Sequence, residues 1–331
     1  MHDIIKDPMS WSRDNPRTFE IAYDMNAYMH KTTELIFTVS ESTSNQYRYV
    51  WDAGYTTTFD FCLSWALTSV CIEELQEIGL TADEKTSRGP GFPSSSEGLN
   101  CTAEAEANRY MSGRVRHCVD QWGEFPMRAA IFLSNHDQDR VARKLFTLER
   151  QSLAARVLLS LPGVPFLYYG EEIGLSSAHH DDGRARRPMP WTRSVPGYGF
   201  TTGIPWQPPY MPDHGSTPTV EDSLLLPVYR KAITARKKYA SLFTSRPIWL
   251  HVNHEEVLAY HVASRRTHAL IVHNTASKTI SVSLNHSAHD AEQKPEASLN
   301  SGLYTLHDEL GTGAFDLQVG IRGSYELSLV L

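Results

Sequence analysis

Two acidic residues that follow short apolar segments have the types and positions that cleavage of a glycosidic bond requires. Glu41 comes directly after residues 34–40 (ELIFTVS), and Asp137 comes shortly after residues 128–134 (RAAIFLS). In glycoside hydrolysis one carboxyl group protonates the leaving oxygen, while a second acts as a nucleophile or stabilises the cationic transition state. A carboxylate at a strand end is also often an ordinary helix cap, so spacing alone makes this pair only a candidate.

The elements that must position this pair alternate between strands and helices. Strands are predicted at residues 34–40, 57–61, 128–134 and 164–169, and helices at 16–30, 62–78, 102–122, 140–161 and 221–243. Such alternation predicts an α/β fold with a parallel sheet, whose strands all end at one rim. We therefore expect Glu41 and Asp137 to lie on the same rim.

The pattern changes near residue 246. The segments at 257–263, 269–273, 279–284 and 324–330 are short, partly alternating and joined by turn-rich stretches, which predicts a small antiparallel β-domain. We therefore divide the chain into an α/β region at 1–245 and a β-region at 246–331.

Composition and charge exclude several classes of protein. The 31 Lys and Arg residues against 38 Asp and Glu residues give a net charge of −7, which argues against a nucleic-acid-binding protein. No apolar run approaches the roughly 20 residues of a membrane-spanning helix. The amino terminus does not resemble a signal peptide, so cytoplasmic location is the default expectation.

The four cysteines are Cys62, Cys71, Cys101 and Cys118, and they form no CxxC pair that would suggest a zinc site. We expect buried thiols, with one disulfide between Cys71 and Cys101 as the alternative for an exported protein.

Several motifs together resemble the second half of an α-amylase-family enzyme (glycoside hydrolase family 13). They are FLSNHDQDR, LLSLPGVPFLYYGEEIGL, RRPMPW, FTTGIPWQP and TVSEST, and the resemblance extends over essentially the whole chain. It implies a partial TIM (β/α)8 barrel, made of strands 5–8 only, followed by an antiparallel β-sandwich.

The resemblance assigns roles to four residues of a glycosidase that acts by retention on α-linked glucose oligosaccharides. Glu41 would be the general acid/base, and Asp137 would stabilise the transition state. His136 and Arg186 would bind the sugar. Glu171 and Glu172 would brace the rim rather than act on substrate. The resemblance implies an oligosaccharide substrate, with no nucleic-acid or membrane partner, no cofactor and no metal site, and it leaves the oligomeric state open.

One element of the family pattern is missing. The nucleophile is an Asp within Gly-x-Arg-x-Asp at the end of the fourth strand, and this sequence contains no such pattern. We therefore expect the chain to be an amino-truncated product that is inactive alone, because retention requires a covalent intermediate.

Two other functions stay open from the residues alone. The first is a non-catalytic homologue that binds carbohydrate or protein with the same fold. The second is a metal-dependent hydrolase that uses His179, His180, Asp181 and Asp182. That run lacks the i, i+4 spacing of a helical metal motif, so a solvated loop is the favoured interpretation.

Overall fold

The computed structural model describes residues 14–69, 110–177, 185–207, 218–264, 267–276, 278–286, 302–307, 314–319 and 325–330. Its α-helices are α1 (Pro16–Thr32), α2 (Gln46–Trp51), α3 (Phe61–Thr68), α4 (Met111–Asp120), α5 (Val141–Leu145), α6 (Leu148–Ser160) and α7 (Leu226–Lys238). Its strands are β1 (Val39–Ser40), β2 (Thr57–Phe59), β3 (Ala129–Phe132), β4 (Val164–Phe166), β5 (Ile248–Trp249), β6 (His251–Val252), β7 (Val257–Ser264), β8 (Thr267–Asn274), β9 (Ser281–His286), β10 (Gly302–His307), β11 (Ala314–Val319) and β12 (Tyr325–Val330).

Strands β1 to β4 form a four-stranded sheet in chain order, and every neighbouring pair is parallel. Ser40 pairs with Thr58, Phe59 with Ala130, and Phe132 with Phe166. The predicted parallel sheet is therefore confirmed, although each strand is shorter than predicted, and β1 retains only the last two residues of the apolar segment 34–40.

Helix α1 begins where the sequence predicts, because Asn15 caps it. The Asn15 side chain accepts the N–H of Arg17 at 2.9 Å, and Pro16 occupies the first helical position, where a missing N–H costs nothing. The buried Asn26 fixes the helix to the chain before β2 by donating to the Ala53 carbonyl at 3.0 Å.

The single helix predicted at 140–161 is wrong, because the chain breaks at Phe146. This residue has a φ of +57°, which a helix cannot contain, and it separates α5 from α6. Thr147 then caps α6 by accepting the Arg150 N–H at 3.3 Å. The helix predicted at 221–243 is likewise shorter, since α7 begins with Pro227 in its first turn and a 3-10 helix, Ala240–Thr244, follows it.

The β-region contains two antiparallel sheets, which confirms the predicted strand type. One has the order β10-β11-β12-β9-β6 and the other β5-β7-β8. Strand β7 alternates its contacts as a period of two requires. Val257 and Ala259 share a core with Val282 and Leu284 of β9, whereas Leu258, Tyr260 and Val262 join the core of the α/β region. The two sheets therefore pack on each other, and one of them also packs on the helices that cover the parallel sheet.

The cysteine expectation is corrected by the structure. Cys62 at the start of α3 and Cys118 in α4 form a disulfide, with their Cα atoms 5.8 Å apart. Cys118 is buried and Cys62 is partly buried where α3 and α4 pack together, an arrangement that sequence reasoning did not detect. The alternative pair, Cys71 and Cys101, lies outside the described residues.

In the part of the chain that the structure describes, no helix has the length and apolar character needed to cross a lipid bilayer.

Loss of the Cys62–Cys118 disulfide should destabilise the α/β region. We expect the Cys62→Ser/Cys118→Ser double variant to lose about 2–4 kcal/mol of unfolding free energy, because the bond closes a long loop in the unfolded chain. Denaturant unfolding with and without dithiothreitol measures this, and the double variant should not respond to the reductant. Alkylation of Cys62 and Cys118 in the folded, unreduced protein would contradict the pairing.

Candidate active site

Strands β1, β2 and β3 of the parallel sheet are each followed by an acidic residue at the same edge. Glu41 follows β1 and is exposed, Asp60 follows β2 and is buried, and the segment that contains Asp137 follows β3. Because all four strands run in one direction, their carboxyl ends share one edge of the sheet. Strands β1 and β3 flank β2, so their axes are about 10 Å apart at the usual strand spacing.

The carboxylate of Asp137 contacts two basic side chains on this edge of the sheet. Its Oδ1 accepts a hydrogen bond from Arg186 Nη2 at 2.7 Å, and its Oδ2 lies 3.2 Å from Nε2 of His136. The backbone N–H of Asp137 donates to Asn135 Oδ1 at 3.0 Å, a local turn that presents the carboxylate to solvent. Three of the four predicted site residues are thus in contact. Glu41 lies on the same edge as these three.

Asp60 is a structural carboxylate, although it occupies the equivalent position after β2. It caps α3 by accepting the Leu63 N–H at 2.9 Å, and it accepts the indole N–H of Trp122 at 2.8 Å. Burial raises its pKa to about 6, while these hydrogen bonds oppose the rise. Asp60 is therefore a helix cap, and spacing in the sequence alone does not distinguish such a cap from a catalytic acid.

The backbone that carries Arg186 is held from below by tyrosines that sequence analysis did not single out. The hydroxyl of Tyr168 donates to the Ala185 carbonyl at 3.1 Å, and the hydroxyl of Tyr169 donates to the Arg187 carbonyl at 2.6 Å. The guanidinium of Arg140 donates to the same Ala185 carbonyl at 2.9 Å. Two consecutive tyrosines before a glycine were the only signal for this anchoring in the sequence.

Glu171 and Glu172 occupy a 3-10 turn, Glu171–Ile173, directly after β4. Glu172 accepts the Gly170 N–H at 2.7 Å, and the buried Glu171 accepts the Ser134 hydroxyl at 3.4 Å. Burial raises the pKa of Glu171 to about 8, and the charge of Glu172 adds to the rise. Both contacts brace the rim, as the resemblance implied for this pair.

A loop beyond Arg186 exposes several large apolar side chains on the protein surface. They are Trp191, Phe200, Ile204 and Trp206. The loop is ordered internally, since Trp191 and Thr192 both donate backbone N–H groups to the Tyr198 carbonyl. Its polar anchor is an ion pair of 2.8 Å between Arg193 and Asp222.

The alternative metal site of His179, His180, Asp181 and Asp182 lies outside the described residues. Among the residues that are described, no group of three or more His, Cys, Asp or Glu side chains is arranged to hold a metal ion.

Comparison with known proteins shows which family this chain matches. The model of the α-amylase catalytic domain matches residues 2–245. The chain is 33% identical over 151 residues to α-amylase 3 of Dictyoglomus thermophilum, which covers 44% of this chain and 30% of that protein. It is 25% identical over 174 residues to an oligo-1,6-glucosidase of Halalkalibacterium halodurans, which covers 40% and 31%. The matches thus span about a third of the length of these relatives.

Solved structures share the fold at low sequence identity. Trehalose-6-phosphate hydrolase of Bacillus licheniformis superposes with a TM-score of 0.60 and 17% identity, covering 99% of this chain and 62% of that one. An α-amylase from H. orenii superposes with a TM-score of 0.57 and 18% identity, covering 98% and 56%.

The buried Glu171 should make stability fall as the pH rises from about 4.5 to about 8. A carboxyl group whose folded pKa is about 8, against an ordinary value near 4.5, is protonated in the folded protein and ionised in the unfolded chain across the interval between them. Between pH 6.5 and 7.5 we therefore expect the unfolding free energy to fall by about 1 kcal/mol. The shifted pKa values of Asp60, about 6, and His273, about 4, lie below pH 6.5, and that of Lys144 lies near 8.

The Glu171→Gln variant should abolish this decline, whereas the exposed control Glu34→Gln should retain it. Denaturant unfolding at pH 6.5, 7.0 and 7.5 measures the effect. An unchanged slope in Glu171→Gln would mean that Glu171 is ionised in the folded protein.

Proposed function

This chain belongs to the α-amylase catalytic-domain family, and we propose that it carries the acid/base side of a retaining glycoside hydrolase that acts on α-linked glucose oligosaccharides. The observation that carries the proposal is the ion pair of Asp137 with Arg186 on the strand edge that also bears Glu41. Curated relatives with glycosidase names, such as the oligo-1,6-glucosidase, support the reaction class.

In the proposed mechanism Glu41 and Asp137 act on one sugar ring from the same rim. Glu41 is exposed, so its carboxyl group can reach a bound glycosidic oxygen, donate its proton to the leaving group and later remove a proton from water. Asp137 presents a negative charge that stabilises the oxocarbenium-like transition state and accepts hydrogen bonds from sugar hydroxyls.

His136 and Arg186 orient the carboxylate of Asp137. Arg186 donates from a rigid, planar guanidinium, which holds the carboxylate in one direction better than a lysine could. His136 keeps one ring nitrogen beside Asp137 and stays half exposed, so it can also contact a sugar hydroxyl. These two side chains form the proposed sugar-binding groups of the site.

We also propose that the parallel sheet is strands 5–8 of a (β/α)8 barrel and that the nucleophile belongs to a segment outside this chain. In the described sheet β1 and β4 are edge strands with one neighbour each, an arrangement that barrels normally avoid. Two apolar side chains shortly before β1 are exposed to solvent: Leu35 is 94% exposed and Phe37 is 53% exposed. Four apolar residues of α1 are also exposed, and they are Ile21, Tyr23, Met25 and Tyr28.

The 331-residue chain alone should not turn over glycosides, because it has no Gly-x-Arg-x-Asp sequence to supply a nucleophile. Assays with nitrophenyl α-glucoside and maltooligosaccharides should give no signal above that of the Glu41→Gln variant. Turnover by the purified chain that Glu41→Gln abolishes would refute the incomplete-site proposal. The DNA upstream of the first codon should encode the Gly-x-Arg-x-Asp pattern, in frame or across a frameshift.

In the completed enzyme, encoded with that upstream segment, Glu41→Gln and Asp137→Asn should each lower kcat by at least about a thousandfold. Arg186→Ala should raise KM by about tenfold with a smaller change in kcat, since it removes one sugar-binding group. The matched control is Arg193→Ala, because Arg193 forms an ion pair with Asp222 of nearly the same length, 2.8 Å against 2.7 Å, and similar exposure. Sugar binding without turnover in the completed protein would instead favour a non-catalytic homologue.

A further inference from the structure

The side chain of Arg140 is the largest that is completely buried in the described residues, and it lies directly beneath the proposed site. Its Nε donates to the Ala185 carbonyl at 2.9 Å, and its Nη1 donates to the Tyr169 carbonyl at 2.6 Å. The guanidinium also stacks on the rings of Tyr168 and Tyr169, 4.5 and 4.7 Å from their centroids. One charged group thus joins the segments after β3, after β4 and around residue 185.

Burying a guanidinium carries a desolvation penalty, which hydrogen bonds from its N–H groups partly offset. Burial lowers the pKa of Arg140, while the neighbouring Tyr168, Tyr169 and Glu171 favour the charged form. The rings add cation–π attraction, which is strongest where water is excluded. The charge is therefore held by hydrogen bonds from Nε and Nη1 to two carbonyls and by two ring faces, while the buried Nη2 has no hydrogen-bond partner among the described residues.

The space for this guanidinium is created by a glycine. Gly170 has a φ of +88°, and a Cβ at this position would lie 3.0 Å from Arg140 Nη1 and 2.8 Å from Leu175 Cδ2. A Cβ at position 170 would therefore force the Leu175 side chain, the Arg140 guanidinium or both to shift. The turn after β4 is thus shaped around Arg140.

We propose that Arg140 is a positioning residue that places Arg186 against Asp137. Arg140 lies three residues after Asp137 in the chain, and its side chain grips the carbonyl of the residue that immediately precedes Arg186. Both partners of the exposed 2.7 Å ion pair therefore project from backbone that the same buried side chain anchors. Its contribution to sugar binding rests on the proposed function, whereas the placement of Arg186 does not.

The chain offers a matched control in Arg236. This arginine also uses its guanidinium to bind backbone carbonyls, donating to Leu159, Leu161 and Gly163 at 2.9, 2.7 and 2.6 Å, and it also stacks on a ring, that of Phe243. Its contacts lie between the carboxyl end of α6 and the start of β4, at the opposite end of the strand from the proposed site. Arg236→Lys should therefore cost stability without altering the Arg186 segment.

The first test measures amide hydrogen exchange by mass spectrometry in the 331-residue chain, without any sugar. Arg140→Lys keeps the positive charge, but a single ammonium group cannot bind both carbonyls as the planar guanidinium does. Amide hydrogen exchange in residues 185–187 should therefore accelerate by about tenfold. Arg236→Lys should leave that segment at the wild-type rate. Equal acceleration in both variants, or none in Arg140→Lys, would overturn the proposal.

If Arg140→Lys does not fold, Tyr168→Leu replaces it, because this change removes one ring face from the guanidinium and the hydroxyl that binds Ala185. It should accelerate exchange in residues 185–187 in the same way, and wild-type exchange there would overturn the proposal.

The second test separates positioning from general support in the completed enzyme. Arg140→Lys should raise KM by about as much as Arg186→Ala, and the double variant should be no worse than Arg186→Ala alone, because Arg140 acts through Arg186. Additive effects would overturn this route of action. If the completed protein has no activity, the proposed function fails, while the exchange result still decides the placement of Arg186.

Discussion

Parallel pairing of four strands is the constraint on which the rest of the structure depends. Because β1 to β4 run in one direction and in chain order, every residue that follows a strand lies on the same edge. Glu41 and Asp137 are 96 positions apart in the sequence, yet they follow strands separated only by β2. The chemistry of the edge then depends on which of its carboxylates are exposed, as these two are, and which are buried caps, as Asp60 is.

Several buried ionisable side chains pack beneath that edge of the sheet. Burial raises the pKa of Glu171 to about 8 and lowers that of Lys144 to about 8, so at neutral pH Glu171 is protonated and uncharged whereas Lys144 keeps its charge. Arg140 keeps partners on two carbonyls and two rings. The exposed pair of Asp137 and Arg186 contributes little stability by itself, since solvent screens it. Its geometry depends on the buried groups that hold the backbone on either side.

Sequence patterns predicted the elements better than their ends. The Asn15 cap and the alternation of β7 follow from local chemistry, so both were readable in advance. The break at Phe146 was not, because this residue has a positive φ although no glycine or proline marks the position. The Cys62–Cys118 disulfide was missed because its two cysteines are 56 positions apart, and no local pattern connects them.

The sequence by itself determined the family resemblance, the α/β order with a β-region after it, and four candidate site residues, because residue types and local spacing encode these features directly. Only the tertiary structure decided which of the carboxylates following the strands are buried, that Arg186 rather than another arginine meets Asp137, and that Arg140 lies beneath them. Such facts depend on distances between residues far apart in the chain, and on burial. Neither is written in a local pattern.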